Sequence, residues 1–406
     1  MIEANRHPDY GKALSAADQE ALGPAAAARV TQMLQLLPIH RATPLRRLSD
    51  IAKTLGVESV HIKDESHRLG LGSFKALGGA YAVVCLVLEE ASRLLKRDVA
   101  PSELLAPEIR SLVSQITVGC ATDGNHGRSV AAGANLVSCK ASIFVHDNVN
   151  RERVESIARF GAKLIHVPGN YDDAVAEAER VCKAEGWTIV SDTSWPGYES
   201  IPRLVMQGYT AMVAEALAQA PKPPTHVFLQ AGVGGFAASV AANISLTLGT
   251  TLGTPLGAAR PKFIIVEPDR AACLFESNRA GAPVKIKAGE PTVMAMLECY
   301  EPSLLAWDVL SRLADAYMTV RDEDAVAAMI KLARPRDNSA AIIAGESGGA
   351  GLAGLISVMG NADARTMLDL NSKSRILLFN TEGATAPEVY RELTSIDPAE
   401  MSLAGE

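Results

Sequence analysis

Basic residues are in the minority, 39 Lys and Arg against 46 Asp and Glu, and no long basic run occurs. Without such a run there is no electrostatic footprint for a phosphate backbone or an anionic bilayer, so neither nucleic acid nor membrane is an expected partner. Cysteine is scarce. Cys85, Cys120, Cys139, Cys182, Cys273 and Cys299 are too scattered for a disulfide framework, and the absence of any CxxC argues against a zinc ribbon; no metal site is expected. Long apolar stretches are missing too: Ala80–Leu88 and Ala350–Met359 fall well short of the roughly 18 residues that a membrane span needs. The first twenty residues are polar and lack an apolar run after their basic residues, which does not read as a secretory signal, and the expected location is cytoplasmic.

What is present is a chain of 406 residues, 48% hydrophobic, which excludes a disordered or fibrous protein. That length fits two domains or one large α/β unit, and a core of that size needs no covalent staple. Short β-branched runs give way repeatedly to a turn and then an Ala/Leu-rich helical pattern, the signature of parallel βαβ units. Strands are predicted at Val60–Lys63, Gln115–Val118, Ser142–Val145, Lys163–His166, Trp187–Val190, His226–Gln230, Lys262–Val266 and Ile376–Phe379. Each is short and mostly apolar, as expected for strands covered on both faces. Ala218–Thr225 reads as the clearest linker and Ser245–Pro261 as a second loop tract. Residues from about Tyr81 to Ser200 read as a layer inserted between the segments on either side.

Glycine turns mark the places where chemistry is expected. After the strand ending at Gln230, Ala231-Gly-Val-Gly-Gly-Phe236 turns the chain into a small-residue helix. The unpaired amides and positive dipole end of such a helix suit a phosphate. The spacing is neither GxGxxG nor a Walker loop, so dinucleotide and ATP readings lose support; a plain strand-to-helix connection remains the alternative. Further turns are read at Cys120–Gly127, carrying Thr122, Asp123 and Asn125, at Ile342–Gly349 and at Ile376–Gly383. In an open α/β sheet, ligands lie beyond the carboxyl ends of the strands, so one crevice shared by all four turns is the simplest reading. Lys75, between Phe74 and small residues, reads either as a solvated helix-start lysine or as an amine whose charge burial disfavours, leaving it free to form a Schiff base.

Ser73-Phe-Lys75, Asp123-Gly-Asn-His-Gly127, Gly232-Val-Gly-Gly235 and Thr381-Glu-Gly383 together resemble the pyridoxal-phosphate enzymes of fold type II, the tryptophan synthase β-like family. The branch it is most similar to comprises the ammonia-lyases of 2,3-diaminopropionate, whose pattern runs in order through Thr43-Pro-Leu, Lys63-Asp-Glu-Ser, Tyr171-Asp-Asp, Asp192-Thr-x-Trp-x-Gly-Tyr198, Met206-Gln-Gly-Tyr209, Val266-Glu-Pro-Asp and Gly345-Glu-Ser-Gly. The resemblance implies an α/β fold with a discontinuous large domain, residues 1–80 and 200–406, and a smaller inserted αβα domain, residues 81–199. It also implies a homodimer with pyridoxal 5′-phosphate in the cleft. Carried over by position, Lys75 holds the cofactor and Gly232, Val233, Gly234 and Gly235 cradle its phosphate. Asn125 lies beside its 3′-oxygen, Thr381 faces its ring nitrogen, and Phe74 and Glu346 complete the cofactor site.

The activity so implied is α,β-elimination of 2,3-diaminopropionate to pyruvate and two ammonia, as a carbon–nitrogen lyase. A β-amine leaves well only when protonated, so acids near the β-carbon are needed. The family pattern makes Lys75, Asp123 and Asp192 the catalytic residues, with Asp123 the base for the D enantiomer and Asp192 assisting with the L form or binding the substrate amine. Taken alone, Asp123 reads as a capping or turn residue and Asp192 as a loop residue. His126 reads equally as structural, Tyr171 and Trp195 as pocket-lining, and Cys273 and Cys299 as buried thiols. One departure is noted: the family carries acidic residues after the Thr-Glu-Gly motif, where this chain has Ala384-Thr-Ala386. Two rivals remain, another β-eliminating enzyme of the same fold (a threonine/serine or 3-hydroxyaspartate dehydratase, or a lyase of a related β-substituted alanine) and a non-catalytic cofactor- or amino-acid-binding regulator.

Overall fold

The computed structural model describes residues 1–37, 39–122, 124–147, 149, 151–249, 260–337 and 339–402. Eleven strands form two sheets among these residues. The larger has the order β1-β10-β9-β8-β11-β3-β2, with β1 Ile2–Ala4, β2 Leu45–Arg47, β3 Ser59–Asp64, β8 His226–Gln230, β9 Lys262–Pro268, β10 Ala316–Val320 and β11 Arg375–Asn380. Its five central strands are parallel, and only the short edges β1 and β2 run antiparallel to their neighbours. The smaller sheet has the order β6-β5-β4-β7 and is all parallel, with β4 Thr117–Ala121, β5 Lys140–His146, β6 Lys163–Val167 and β7 Thr188–Ile189.

Every predicted strand overlaps an observed one, while β1, β2 and β10 were not predicted. The first two are three-residue edges, too short for a period-two pattern to register. β10 is entirely buried and reads Ala-Tyr-Met-Thr-Val directly after the Leu304–Leu313 helix, so its apolar run merges with the helical one. The strand placed at Gln115–Val118 begins instead at Thr117 and continues to Ala121. Of the linker read at Ala218–Thr225, residues 218–219 end the Ser200–Gln219 helix and 220–225 connect it to β8. Of the tract Ser245–Pro261, residues 245–247 are the end of the Gly235–Thr247 helix and 250–259 lie outside the described residues.

Three helices meet beneath the cleft because glycines let their backbones approach. A Cβ on Gly78 of the Lys75–Leu95 helix would lie 2.4 Å from the Tyr209 ring of the Ser200–Gln219 helix, and one on Gly133 of the Asn125–Val137 helix would lie 2.7 Å from Ala80 Cα. The Lys75–Leu95 helix is thereby clamped from both sides, which fixes the residue at its first turn.

β3, β8 and β11 are parallel, with β11 paired to both of the others, so their carboxyl ends lie together. The turns after β4, β8 and β11 sit at such ends as expected. The turn at Ile342–Gly349 does not: among the described residues the element before it is the Asp322–Ala333 helix and not a strand, and it is held beside the end of β11 by the Gly345 amide, which donates to Glu382 O at 2.9 Å. Its apolar Ile-Ile-Ala stretch mimics a strand in sequence, but it runs as a loop into the Ala350–Met359 helix. No helix among the described residues is long and apolar enough to cross a membrane.

Candidate active site

Lys75 is the first residue of its helix, reached through the segment Gly72-Ser73-Phe74, which pairs with Thr381-Glu382-Gly383 after β11. The Phe74 amide donates to Thr381 O at 3.0 Å and the Gly383 amide to Gly72 O at 3.0 Å. The two stretches singled out in the sequence are thus one short ladder. Phe74 turns its ring into Tyr209 and Phe236, with centroids 4.7 and 4.8 Å away. It supports the helix after the glycine turn from below.

Lys75 Nζ donates to Asp192 Oδ2 at 2.9 Å. Burial alone would lower this lysine's pKa. The Asp192 carboxylate, assisted by Tyr209, overrides burial and holds it above the usual lysine range. For Asp192, burial likewise opposes the charge and Lys75 overrides it, keeping the carboxyl below its usual range. The expectation of an amine made neutral by apolar surroundings therefore fails, because the sequence pattern around Lys75 gave no sign that a carboxylate 117 residues downstream would arrive beside it. His126 is buried with its Nε2 at 3.0 Å from Val190 O, and burial lowers its pKa, so it sits neutral in the wall.

Gly232–Gly235 lies over this ion pair. The first bond of the Gly235–Thr247 helix from outside it runs from the Ala238 amide to Gly234 O, so the amides ahead of it have no carbonyl of their own helix to meet. Gly234 has φ +97°, and a Cβ there would press at 3.1 Å on Ala306 and Leu274. At Gly235, by contrast, a Cβ would sit in ordinary contact with Asp192 O at 3.6 Å and Met206 Cγ at 3.7 Å, so the helix start lies directly against the Asp192 backbone. Val233 O accepts from the Ser303 amide at 3.0 Å, which pins the back of the turn.

Thr381 Oγ1 accepts from Gln230 Nε2 at 3.0 Å, so its own proton is available to donate. Asn125 Nδ2 donates to Glu382 Oε2 at 2.7 Å, and Asn125 Oδ1 accepts from Arg128 Nη2 at 2.9 Å. Glu346 Oε1 accepts from Arg153 Nη2 at 3.0 Å. Asp123 lies outside the described residues. Trp195 stacks on Tyr198, centroids 4.2 Å apart, and Tyr171 makes an edge contact with His146. The six cysteines are unbridged; a Cβ on Gly232 would lie 2.8 Å from Cys299 Sγ, and Cys273 Sγ is 3.6 Å from Gly232 O.

The structure thus brings Lys75, Asp192, Thr381 and the Gly232–Gly235 turn to one cleft, with Asn125 and Glu346 along its wall. Glu382 falls inside the Thr381–Gly383 motif and Gln230 at a strand end without a role of their own, and nothing local marks Arg153. The available signal was a glutamate set between Thr381 and Gly383 at a strand end, where a buried carboxylate requires partners.

The arrangement suits pyridoxal phosphate. It offers a part-buried amine held as an ammonium by a carboxylate, helix-start amides with no carbonyl of their own helix to meet, and a hydroxyl donor nearby. A family model described as pyridoxal-phosphate dependent enzyme matches residues 36–382. The chain is 36% identical to diaminopropionate ammonia-lyase of Salmonella typhimurium over 367 residues, covering 88% of this chain and 89% of that one. It is similar to the Escherichia coli diaminopropionate ammonia lyase crystallised with an aminoacrylate-PLP azomethine reaction intermediate, with a TM-score of 0.84 and 34% identity over 97% of this chain and 96% of that one. A threonine deaminase of Solanum lycopersicum, at 18% identity and a TM-score of 0.68 over 97% of this chain and 96% of that one, shares the fold.

Proposed function

This chain belongs to the family of pyridoxal-phosphate dependent enzymes, and from that membership we propose how its cleft works as a carbon–nitrogen lyase on 2,3-diaminopropionate, releasing pyruvate and two ammonia. The observation that carries the reading is the Lys75–Asp192 pair at 2.9 Å, with the helix start at Gly235 against the Asp192 backbone. Similarity to diaminopropionate ammonia-lyases over 88% of the chain supports the substrate.

Pyridoxal phosphate, when bound, supplies the electron sink that lets a Cα proton and a β-substituent leave. The residues do the rest. Lys75 would hold the cofactor through its amine, the amides of Gly232, Val233, Gly234 and Gly235 would take the phosphate, and Phe74 would brace that turn. Thr381 Oγ1, already accepting from Gln230, would donate to the ring nitrogen and leave it without a proton of its own. Asn125 would sit at the 3′-oxygen with Glu346 behind it. A neutral hydroxyl rather than a carboxylate at the ring nitrogen weakens the sink, which suits elimination over transamination.

Asp192 holds the proton on the free amine of Lys75, and the lysine ammonium so kept is a donor for the departing β-amine. Asp123 is assigned the Cα proton of the D enantiomer. The chain is further proposed to act as a homodimer in the cytoplasm and to divide into a discontinuous large domain, residues 1–80 and 200–406, and an inserted domain, residues 81–199; the separate four-stranded sheet between Thr117 and Ile189 supports that division.

Purified protein tests the reading. It should carry a visible absorbance band that Lys75→Ala abolishes; an unchanged spectrum refutes the lysine assignment. Pyruvate release should be fastest, by kcat/KM, from 2,3-diaminopropionate beside serine, threonine and 3-hydroxyaspartate. A higher value for a hydroxy amino acid would make the chain a dehydratase.

A further inference from the structure

Two carboxylates beside Asn125 have no chemical role in the scheme above, where Glu346 is only placed behind Asn125 and Glu382 is not used, and both are nearly sealed from solvent, Glu382 at 2% and Glu346 at 1% exposure. They come together by backbone geometry. Glu382 is held in the ladder with Ser73, and Gly345 packs so tightly against it that a Cβ there would lie 3.0 Å from Glu382 Cγ. The next residue after that glycine is Glu346.

Each carboxylate uses one oxygen and leaves the other buried without a hydrogen-bond partner among the described residues, Glu382 Oε1 and Glu346 Oε2. Such atoms are expensive to leave unmet, so two of them in one wall point to a ligand group or a shared proton. Glu382 Oε2 accepts from Asn125 Nδ2 at 2.7 Å and lies 3.5 Å from Thr385 Oγ1. Glu346 Oε1 takes Arg153 Nη2.

The partners also fix Asn125. A guanidinium can only donate and an ionised carboxylate can only accept, so Arg128 must face the amide oxygen and Glu382 the amide nitrogen. With Oδ1 turned to Arg128 and one Nδ2 hydrogen on Glu382, the second hydrogen of Nδ2 is the donor that Asn125 has for the cleft.

We propose that Glu382 and Glu346 are positioning residues that lock Asn125 as a donor toward the phenolic oxygen of pyridoxal phosphate and hold one exchangeable proton beside that oxygen. This rests on the assignment of Asn125 to the 3′-oxygen made above. When the proton is on the pair, the wall carries one negative charge and the phenolic oxygen keeps its own. When the proton passes to the oxygen, the wall gains a charge and the cofactor loses one.

The surrounding charges agree. Burial first, and then the Glu382 charge, push Glu346 above the ordinary carboxylate range, with Arg153 pulling the other way. Arg128, from the Asn125–Val137 helix, feels the Glu382 charge and is crowded by Arg153 and Arg159. Asp123 is the remaining neighbour in sequence and lies outside the described residues.

The test uses the holoenzyme and two isosteric variants, Glu382→Gln and Glu346→Gln, which remove charge while keeping shape, with the neighbouring Thr385→Ser as a control for packing. The ratio of visible to near-ultraviolet absorbance reports where the proton lies, and it is read across the neutral pH range. In the wild type and the control this ratio should titrate with a midpoint above the ordinary carboxylate range. In each glutamine variant the midpoint should move by about one pH unit or more, or vanish, with kcat falling while KM stays within about twofold. Glu382→Asp should restore part of the wild-type response, because a carboxylate is again present. A normal visible band whose pH response ignores both glutamates overturns the inference and leaves the functional reading standing. A wild-type protein with no visible band overturns both.

Discussion

Asp192 shows how much a single side chain decides in this cleft. Burial of Lys75 and the Asp192 charge oppose each other, and the carboxylate at 2.9 Å wins, so the amine is stored as an ammonium. Asp192→Asn keeps the volume and removes the charge, and burial should then leave the lysine neutral. The variant should still take up cofactor and show a visible band, since the amine is more nucleophilic. Its kcat should drop by about a hundred- to ten-thousand-fold, the usual worth of one positioned proton carrier. Steady-state rates with both enantiomers of 2,3-diaminopropionate measure this, and an unchanged kcat would reduce Asp192 to a structural partner. Asp123→Asn is expected to slow the D enantiomer more than the L; equal losses would remove its enantiomer-specific role. At this scale the sequence was informative about identity and silent about pairing. Lys75, Thr381 and Asn125 were legible from their motifs, whereas the Asn125–Glu382 and Arg153–Glu346 contacts span 257 and 193 residues and have no local signature.

Among the elements, glycine spacing on the three central helices has a consequence for stability as well as for the site. Gly133 faces Ala80, whose amide also donates to Ser129 Oγ at 2.9 Å, so the Asn125–Val137 and Lys75–Leu95 helices touch through backbone. A methyl group at 2.7 Å from Ala80 Cα cannot be met by a side-chain rotation and requires the helices to part. Gly133→Ala, although favourable for helix propensity, should therefore destabilise by about 1–3 kcal/mol. Because the Lys75–Leu95 helix moves with it, cofactor affinity should weaken as well. Thermal denaturation and a cofactor titration of the same preparation check this; a raised melting temperature would mean the helices have room. Nothing local in the sequence distinguishes Gly133 from any glycine that weakens a helix. The turn at Ile342–Gly349 was misjudged for a related reason: apolar runs of that length do not distinguish a buried loop from a buried strand, and only the Gly345 to Glu382 bond reveals which it is.

Across the whole molecule, segments far apart in the chain are tied by a buried ionic cluster next to the cleft. Lys63 of β3 donates to Thr43 O and to Glu215 Oε2 at 2.7 Å, and Arg68 meets Glu65 and Glu215 at 2.7 Å each. Lys63, Glu65 and Arg68 are fully buried. The cluster links β2 and β3, the turn leading to Lys75, and the Ser200–Gln219 helix. It explains why Lys63-Asp-Glu-Ser, which has no evident chemistry, belongs to the same sequence pattern as the cofactor residues. Burial works against the Glu215 charge, yet Arg68 and Lys63 outweigh it and hold its pKa below the ordinary glutamate range. A carboxyl whose folded pKa is depressed contributes stability that is present above its unfolded pKa, about 4.5, and is lost as pH falls toward the folded value. Acid should therefore weaken the wild type through this window. Glu215→Gln leaves two buried cations facing one carboxylate, which should cost about 3–5 kcal/mol at neutral pH. The same variant has no charge to titrate at position 215, so its loss of stability toward acid should be shallower than that of the wild type. Denaturant midpoints for both proteins, followed from neutral pH down through the carboxylate range, test the two effects together. Parallel curves would show that Glu215 is not the group that makes this fold acid-sensitive, and equal midpoints at neutral pH would show that the cluster is not what joins these segments.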